Sequence, residues 1–168
     1  MNYCSHCGKS TLSWDGEKKW TCAECGFTLY HNCAAAVAVL LWSEDKILFT
    51  RRNKNPGKNL LDLPGGFVDP NESAGEAAQR EIMEELSVTI DPNKLLIKDS
   101  LPNKYPYKGI LYNTLDLFLE YRLSDHPTVS LQETEIAEVC WLGLDELAVE
   151  DLAFESQRIF FKRLKKSS

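Results

Sequence analysis

Arg80-Glu81-Ile82-Met83-Glu84-Glu85 sets three glutamates beside one arginine within a single short segment. On a helix, turning roughly 100° per residue, Glu81, Glu84 and Glu85 fall within about a third of a turn of one another, so their carboxylates crowd one face and repel. Hard divalent cations such as Mg2+ or Mn2+ take oxygen ligands, keep waters for a phosphate group, and offset that repulsion directly. The surroundings agree with a helix at such a site. Ser73-Ala74-Gly75-Glu76 has the form of a capping box, which starts the helix near Ser73 and carries it to about Leu86. Ala74, Ala77 and Ala78 fall on the glutamate side of the wheel and leave room for a polyanion. Gly65-Gly66 supplies a loop able to adopt positive φ and to bring bare backbone to a ligand. The plainer alternative is a solvated acidic helix with Arg80 and Glu84 as an i,i+4 pair.

A second constellation lies at the N-terminus. Cys4-Ser5-His6-Cys7 and Cys22-Ala23-Glu24-Cys25 are two Cys-x2-Cys knuckles, separated by the fourteen residues Gly8 to Thr21 and each followed by glycine. Four thiolates so spaced suit tetrahedral Zn2+, and a closed set of four protein ligands is structural rather than catalytic. So short a module needs a staple, and with no secretory signal a cytoplasmic chain favours a metal over disulfides. His6 and His31 are left without a necessary ligand role. Cys33 and Cys140 sit beside apolar runs and are expected in the core. Trp14 and Trp20 are expected to pack against the next domain rather than bind nucleic acid, because the charges through Cys33 cancel.

The stretch from Gly66 to Val88 resembles the signature of the Nudix hydrolases, Gly-x5-Glu-x7-Arg-Glu-U-x-Glu-Glu-x-Gly-U with U aliphatic. Gly66, Glu72, Arg80, Glu81, Ile82, Glu84, Glu85 and Val88 fill eight of its nine defined positions, and Ser87 stands where the family has glycine. The resemblance implies an α/β protein, a Nudix α/β/α sandwich with a mixed sheet, preceded here by a small zinc ribbon. It further implies a Mg2+ (or Mn2+) shell of Glu81, Glu84, Glu85 and the Gly66 carbonyl, with Arg80 steadying the glutamates and Glu72 supporting the loop. A glutamate ahead of a tryptophan-ending strand often completes such a site as base. Glu135, six residues before Trp141, is the candidate; Glu133 is its rival, and Glu81 is also able to take that role. The catalytic set is thus Glu81, Glu84, Glu85, Glu135 and Arg80, with structural Zn2+ on Cys4, Cys7, Cys22 and Cys25.

The implied reaction is hydrolysis of a nucleoside diphosphate linked to another group. A four-Cys ribbon ahead of such a domain is similar to the NADH pyrophosphatases. Their Ser-Gln-Pro-Trp-Pro-Phe-Pro-x-Ser stretch is echoed by Ser100-Leu101-Pro102 and Tyr105-Pro106-Tyr107 without being matched. ADP-ribose, NADH or another dinucleotide is the expected small-molecule substrate. Two other classes compete: a nucleotide-sugar-binding Nudix-fold regulator, for which the three glutamates have no use, and an isoprenoid diphosphate isomerase, which needs a catalytic cysteine. Relatives suggest a possible homodimer.

Elements able to position these residues follow from pattern. The chain has 168 residues, 43% hydrophobic and 26% charged, enough for one domain (34–168) behind a small module (1–33). No run approaches the roughly 18 apolar residues of a membrane span, and a cytoplasmic location without membrane partners is expected. A net charge of −6 makes nucleic acid an unlikely partner, and the basic end Arg158, Lys162, Arg163, Lys165 and Lys166 complements a C-terminal helix dipole. Ala34 to Trp42 reads as a buried strand, and Lys46 to Arg52 as the second strand of a hairpin. Lys94 to Leu101, Ile110 to Leu123 and Ala137 to Leu142 read as further strands. Helices are expected over 144–148 and 154–165. Ser100 to Gly109 is expected to be a loop. Arg52, Tyr105 and Tyr107 are the candidate substrate contacts, the tyrosines by stacking on a base.

Overall fold

The computed structural model describes residues 2–167, which fall into two compact units dividing between Cys33 and Ala34. The first is a three-stranded antiparallel sheet of β1 (Leu12–Trp14), β2 (Lys19–Cys22) and β3 (Thr28–Tyr30). Each cysteine knuckle closes on a glycine at φ +72°, Gly8 and Gly26, whose N–H groups bond back to the Cys4 and Cys22 carbonyls at 2.9 and 3.0 Å. Its buried core is Cys4, Leu12 and Cys22, edged by Cys7, Trp20 and Phe27, too little apolar surface to hold a fold alone. Trp14 and Trp20 pack on each other, ring centroids 4.3 Å apart.

The second unit comprises β4 (Ala34–Ser43), β5 (Lys46–Arg52), β6 (Leu61–Asp62), α1 (Ala74–Leu86), β7 (Leu96–Tyr107), β8 (Ile110–Arg122), β9 (Ile136–Leu142) and α2 (Glu155–Ser167). Its six strands run β6-β5-β4-β8-β7, with β9 pairing along the other edge of β5 from Ile47 to Arg52. β4 and β8 are parallel from Ala34↔Thr114 to Trp42↔Arg122 and the remaining pairs are antiparallel, so the sheet is mixed. β4 is apolar on both faces because both are covered. Val37, Val39 and Leu41 pack with Ala77, Ala78, Ile82 and Leu86 of α1, while Ala38 and Leu40 pack with Phe118, Phe160 and Phe161 on the α2 side. This is the expected α/β/α sandwich.

The sheet opens where the chemistry is expected. β4 and β5 pair only beside their turn, at Trp42↔Ile47 and Ser43↔Lys46. Beyond it the chain from Pro64 to Val68 lies along β4 instead, through Val39 N to Pro64 O (2.9 Å), Val37 N to Gly66 O (2.8 Å) and Val68 N to Ala35 O (3.0 Å). The capping box then starts α1: Glu76 N donates to Ser73 Oγ at 3.3 Å and Ser73 N donates to Glu76 Oε2 at 2.8 Å. At the other end Ser87 takes the left-handed conformation, φ +57°, in place of the glycine that would adopt it freely.

Four expectations are corrected. Ala77 and Ala78 are wholly buried, so the small residues of α1 let it sit close to the sheet instead of clearing space for ligand. Residues 100–107 continue β7; Pro102 and Pro106 are tolerated because β7 is the sheet edge, and the turn shrinks to Lys108-Gly109, both at positive φ. Leu144 to Ala148 is a turn on Gly143, whose N–H is held by Glu146, and only a short 3-10 turn, Val149–Asp151, follows. Cys33 is exposed where the chain passes between the units, and Cys140 is half-buried.

Candidate active site

A cleft of about 340 Å3 opens at the split between β4 and β5. Gly65, Gly66, Glu81, Glu84, Glu85, Arg80 and Glu135 line it, along with Arg52 and Tyr105. Glu133 and Tyr107 lie outside that lining, although the Glu133 carbonyl accepts a 2.8 Å bond from Asn53 Nδ2. The substrate-contact role expected of Tyr107 therefore has no support from its position.

Arg80 organises the acidic wall. Its guanidinium grips Glu72 with two 2.9 Å bonds, reaches Glu81 Oε1 at 2.7 Å and the Phe67 carbonyl at 3.0 Å, and stands 3.6 Å from Glu84. Bidentate charge-assisted bonds of this kind fix orientation as well as charge. They hold Glu72 below the usual carboxylate range and raise Arg80 further above its ordinary value. Glu81 is nonetheless pushed up, because burial outweighs its arginine partner. Glu85 is pushed well up by burial, with the Asp62 and Glu81 charges adding to it. Glu85 is 9% exposed, and the one hydrogen bond to its carboxylate among the described residues comes from Gly65 N at 3.1 Å. No cation pairs with it among the described residues, which is an expensive state for a buried carboxylate.

Both glycines are required by close approach. A Cβ on Gly66 would lie 2.4 Å from Glu81 Oε1, and one on Gly65, at φ +147°, would lie 2.1 Å from the Val37 carbonyl oxygen. Across the cleft Glu135 pairs with Lys54, and its carbonyl accepts a 2.6 Å bond from Asn53 N, which ties loop 53–59 to the 132–135 turn. Glutamate oxygens and the Gly66 carbonyl form a hard oxygen donor set suited to Mg2+ or Mn2+. Glu81 is turned to Arg80, Glu85 to Gly65, and Glu84 is half-exposed within reach of Arg80.

Sequence reasoning missed much of the rest of the lining, including Lys54, Asp62, Asn103, Thr114, Asp116, Phe154 and Gln157. Asp62 and Asp116 each carried a signal, an acid between leucines inside a strand. Asp62 accepts 2.5 Å bonds from Arg52 Nη1 and Gln157 Nε2, and burial still raises its pKa despite the arginine. Arg52 also donates to the Pro56 carbonyl at 2.6 Å and stacks over Phe154 at 5.0 Å, while its buried Nη2 has no partner among the described residues. Arg52 is therefore a fixed wall of the cleft.

In the N-terminal unit the Sγ atoms of Cys4, Cys7, Cys22 and Cys25 lie within 4.8 Å of one another, the tightest ligand cluster among the described residues. The Thr11 hydroxyl, 3.2 Å away, leads the backbone N–H groups in pulling Cys22 down to about 6. Cys25 is up at about 12: the Phe27 N–H favours its thiolate, but burial and the three neighbouring sulfurs outweigh it. Four thiols this close form a donor set that a dication could share, favouring the thiolate form of each.

Fold and site define the class, an α/β sandwich whose one helix presents an arginine-braced glutamate cluster to a glycine turn. The chain belongs to the NUDIX domain family, whose profile matches residues 32–164. It is similar to the NAD-capped RNA hydrolase NudC of Pseudomonas syringae pv. tomato, 28% identical over 145 residues covering 86% of this chain and 49% of that protein. It is also similar to the ADP-ribose pyrophosphatase of Methanocaldococcus jannaschii, 39% identical over 80 residues, 48% of this chain and 47% of that one. The chain thus spans about half the length of the curated relatives it matches. Among solved structures, a NUDIX hydrolase from Nitrosomonas europaea superposes with a TM-score of 0.64 at 24% identity, over 99% of this chain and 91% of that one, a likeness of fold.

Proposed function

We propose that this chain hydrolyses the diphosphate bond of a nucleoside diphosphate linked to a second group, giving a nucleoside monophosphate and a phosphorylated partner. The observation that carries the reading is Glu85, a buried carboxylate facing a cleft beside Glu81 and Glu84 with no cation of its own. Folding tolerates such a group where a dication joins it in the working state. Glu81, Glu84, Glu85 and the Gly66 carbonyl would hold Mg2+ or Mn2+, which when bound polarises the phosphoryl group and makes a bound water more acidic.

The chain's own residues supply positioning and proton transfer. Arg80 keeps Glu81 oriented and is itself clamped by Glu72, so that wall is set before substrate arrives. Glu135 is the candidate to accept the proton of the attacking water, with Glu81 the alternative. Lys54, paired with Glu135, and Arg52, both on the cleft wall, are proposed to meet phosphate or sugar oxygens entering it. The four cysteines are proposed to hold a structural Zn2+.

ADP-ribose, NADH or another dinucleotide is the favoured substrate, in line with the ADP-ribose and NAD chemistry in the relatives' names. The test is a panel of NADH, NAD, ADP-ribose, diadenosine polyphosphates, nucleotide sugars and NAD-capped RNA, with and without Mg2+. Glu84→Gln and Glu85→Gln are expected to abolish turnover. Wild-type-like turnover of either variant at saturating Mg2+ sinks the mechanism. Tight binding without any phosphate release would support the regulator class instead.

A further inference from the structure

Part of the cleft is built not by α1 but by β7, β8 and the start of α2, and its polar centre is Asp116, 8% exposed. Three side chains converge on this carboxylate: Thr114 Oγ1 donates to Oδ1 at 2.7 Å, and Asn103 Nδ2 and Ser156 Oγ donate to Oδ2 at 2.9 and 2.6 Å. Ser156 is fully buried behind the wall, whereas Asn103, Thr114 and Asp116 all line the cleft. No lysine or arginine pairs with Asp116 among the described residues.

The directions of these bonds decide what the wall presents. A carboxylate has about four acceptor sites, so three donors leave Oδ1 able to take another. Thr114 has turned its only proton to Asp116 and faces any ligand with lone pairs. Asn103 uses one amide N–H on Asp116 and keeps the other N–H and its carbonyl oxygen. Acceptors dominate this wall. Next to it Tyr105 and Phe154, ring centroids 5.7 Å apart, offer aromatic surface on which a planar ring can lie.

We propose that Asp116, supported by Thr114 and Asn103, reads the exocyclic amino group of a nucleobase, so that the substrate carries adenine, guanine or cytosine and not hypoxanthine or uracil. This rests on the hydrolase reading above and narrows its substrate class. Exchanging the amino group for a carbonyl sets an acceptor against acceptors at that position, and the ring N–H that appears with it lies one atom away from where the amino group donated. Sites that hydrogen-bond a substrate N–H reject the analogue lacking it far more strongly than apolar pockets reject a lost methylene.

The experiment compares adenosine- and inosine-5′-diphosphoribose as substrates in Mg2+, alongside AMP and IMP binding by calorimetry in EDTA. Wild-type kcat/KM should favour the adenosine compound by on the order of 100-fold, and AMP should bind more tightly than IMP. Asp116→Asn, which offers an N–H in place of an acceptor, should lower the adenosine value and keep or raise the inosine one. A network that merely ties β7, β8 and α2 together would change the melting temperature and leave the ratio alone. Equal wild-type rates on both compounds overturn the proposal, and that comparison stands even where the variant fails to fold. Thr114→Val gives a milder second variant, expected to shrink the ratio in the same direction. If neither compound is hydrolysed the enzymatic reading fails, and the AMP to IMP affinity ratio still decides the amino-group inference.

Discussion

Gly66→Ala isolates the position of one carboxylate. The backbone of Gly66 lies outside the left-handed region, so alanine brings no dihedral strain, and the carbonyl that accepts from Val37 N is unchanged. What changes is space: the new methyl would lie 2.4 Å from Glu81 Oε1 and 2.6 Å from its carboxyl carbon. Ordinary contact begins near 3.4 Å, so the carboxylate has to retreat by about 1 Å, stretching its 2.7 Å bond from Arg80. Because the obstacle is the end of a side chain, the fold gives way there at little cost. A 1 Å misplacement of an active group costs about 100-fold in rate, or about 2.7 kcal/mol of barrier. The expected outcome is a kcat about 100-fold lower, a weakened Mn2+ dependence, and a melting temperature within about 3 °C of wild type. Gly65→Ala is the contrast: at φ +147° its Cβ would lie 2.1 Å from the Val37 carbonyl oxygen and 2.9 Å from its carbon. Backbone cannot step aside so easily, and a loss of about 3 kcal/mol or more in stability is expected. Both variants are assayed by thermal melting and by steady-state hydrolysis across a Mn2+ titration. A Gly66→Ala protein that turns over at the wild-type rate, or that unfolds as readily as Gly65→Ala, refutes the argument that Glu81 is the group displaced.

Glu81, Glu85 and Asp62 all titrate above their unfolded values of 4.5, 4.5 and 3.8, chiefly through burial, so the metal-free fold holds protons that the unfolded chain releases. Their contribution is intact below those values and is lost as pH rises through the folded ones, so in EDTA the melting temperature should fall upward from about pH 4.5, and Mn2+ should restore it more at higher pH. A melting temperature in EDTA that rises over that range would contradict this ordering. Stripping metal from the N-terminal unit with a strong chelator should release one equivalent of Zn2+, read by mass spectrometry, and melt residues 2–33, whose core is too small alone; Cys25→Ser should mimic it. Ser87→Gly, at the left-handed C-cap of α1, should stabilise by about 1 kcal/mol and raise the melting temperature by about 2–4 °C, measured by calorimetry.

What the sequence disclosed was whatever depends on spacing along one element. Ser73 and Glu76 cap α1 as their three-residue separation implies, and Arg80 meets Glu72 and Glu81 because helix and loop geometry are local. The apolar run Ala34 to Trp42 proved to be the central strand for an equally local reason, being buried on both faces. Prolines misled at 102 and 106, since a proline is excluded from a strand only where its missing N–H is needed, and which strand forms the edge is a tertiary fact. Ala77 and Ala78 misled because small helix residues serve close packing and open space alike. Asn103, Asp116 and Phe154 come from three separate elements, and only the in-register pairing of β7 with β8 (Asn103↔Thr114) and the packing of α2 gather them.

The buried acids of the cleft also separate by what surrounds them, and that separation assigns the two ends of the site. Asp62 has a guanidinium and an amide, each at 2.5 Å. Asp116 has two hydroxyls and an amide. Glu85 has one backbone N–H, at 3.1 Å, and like charges for neighbours. A carboxylate supplied by its own chain with nearly all the donors it can accept asks for little more than a single N–H from a ligand, which suits recognition of an uncharged group. A buried carboxylate left with a single donor amid like charges is eased either by a proton or by a cation from outside, and a hard cation suits its oxygens. As proposed above, then, one end of the cleft discriminates and the other gathers metal, while Arg52 and Gln157 hold Asp62 of the same lining.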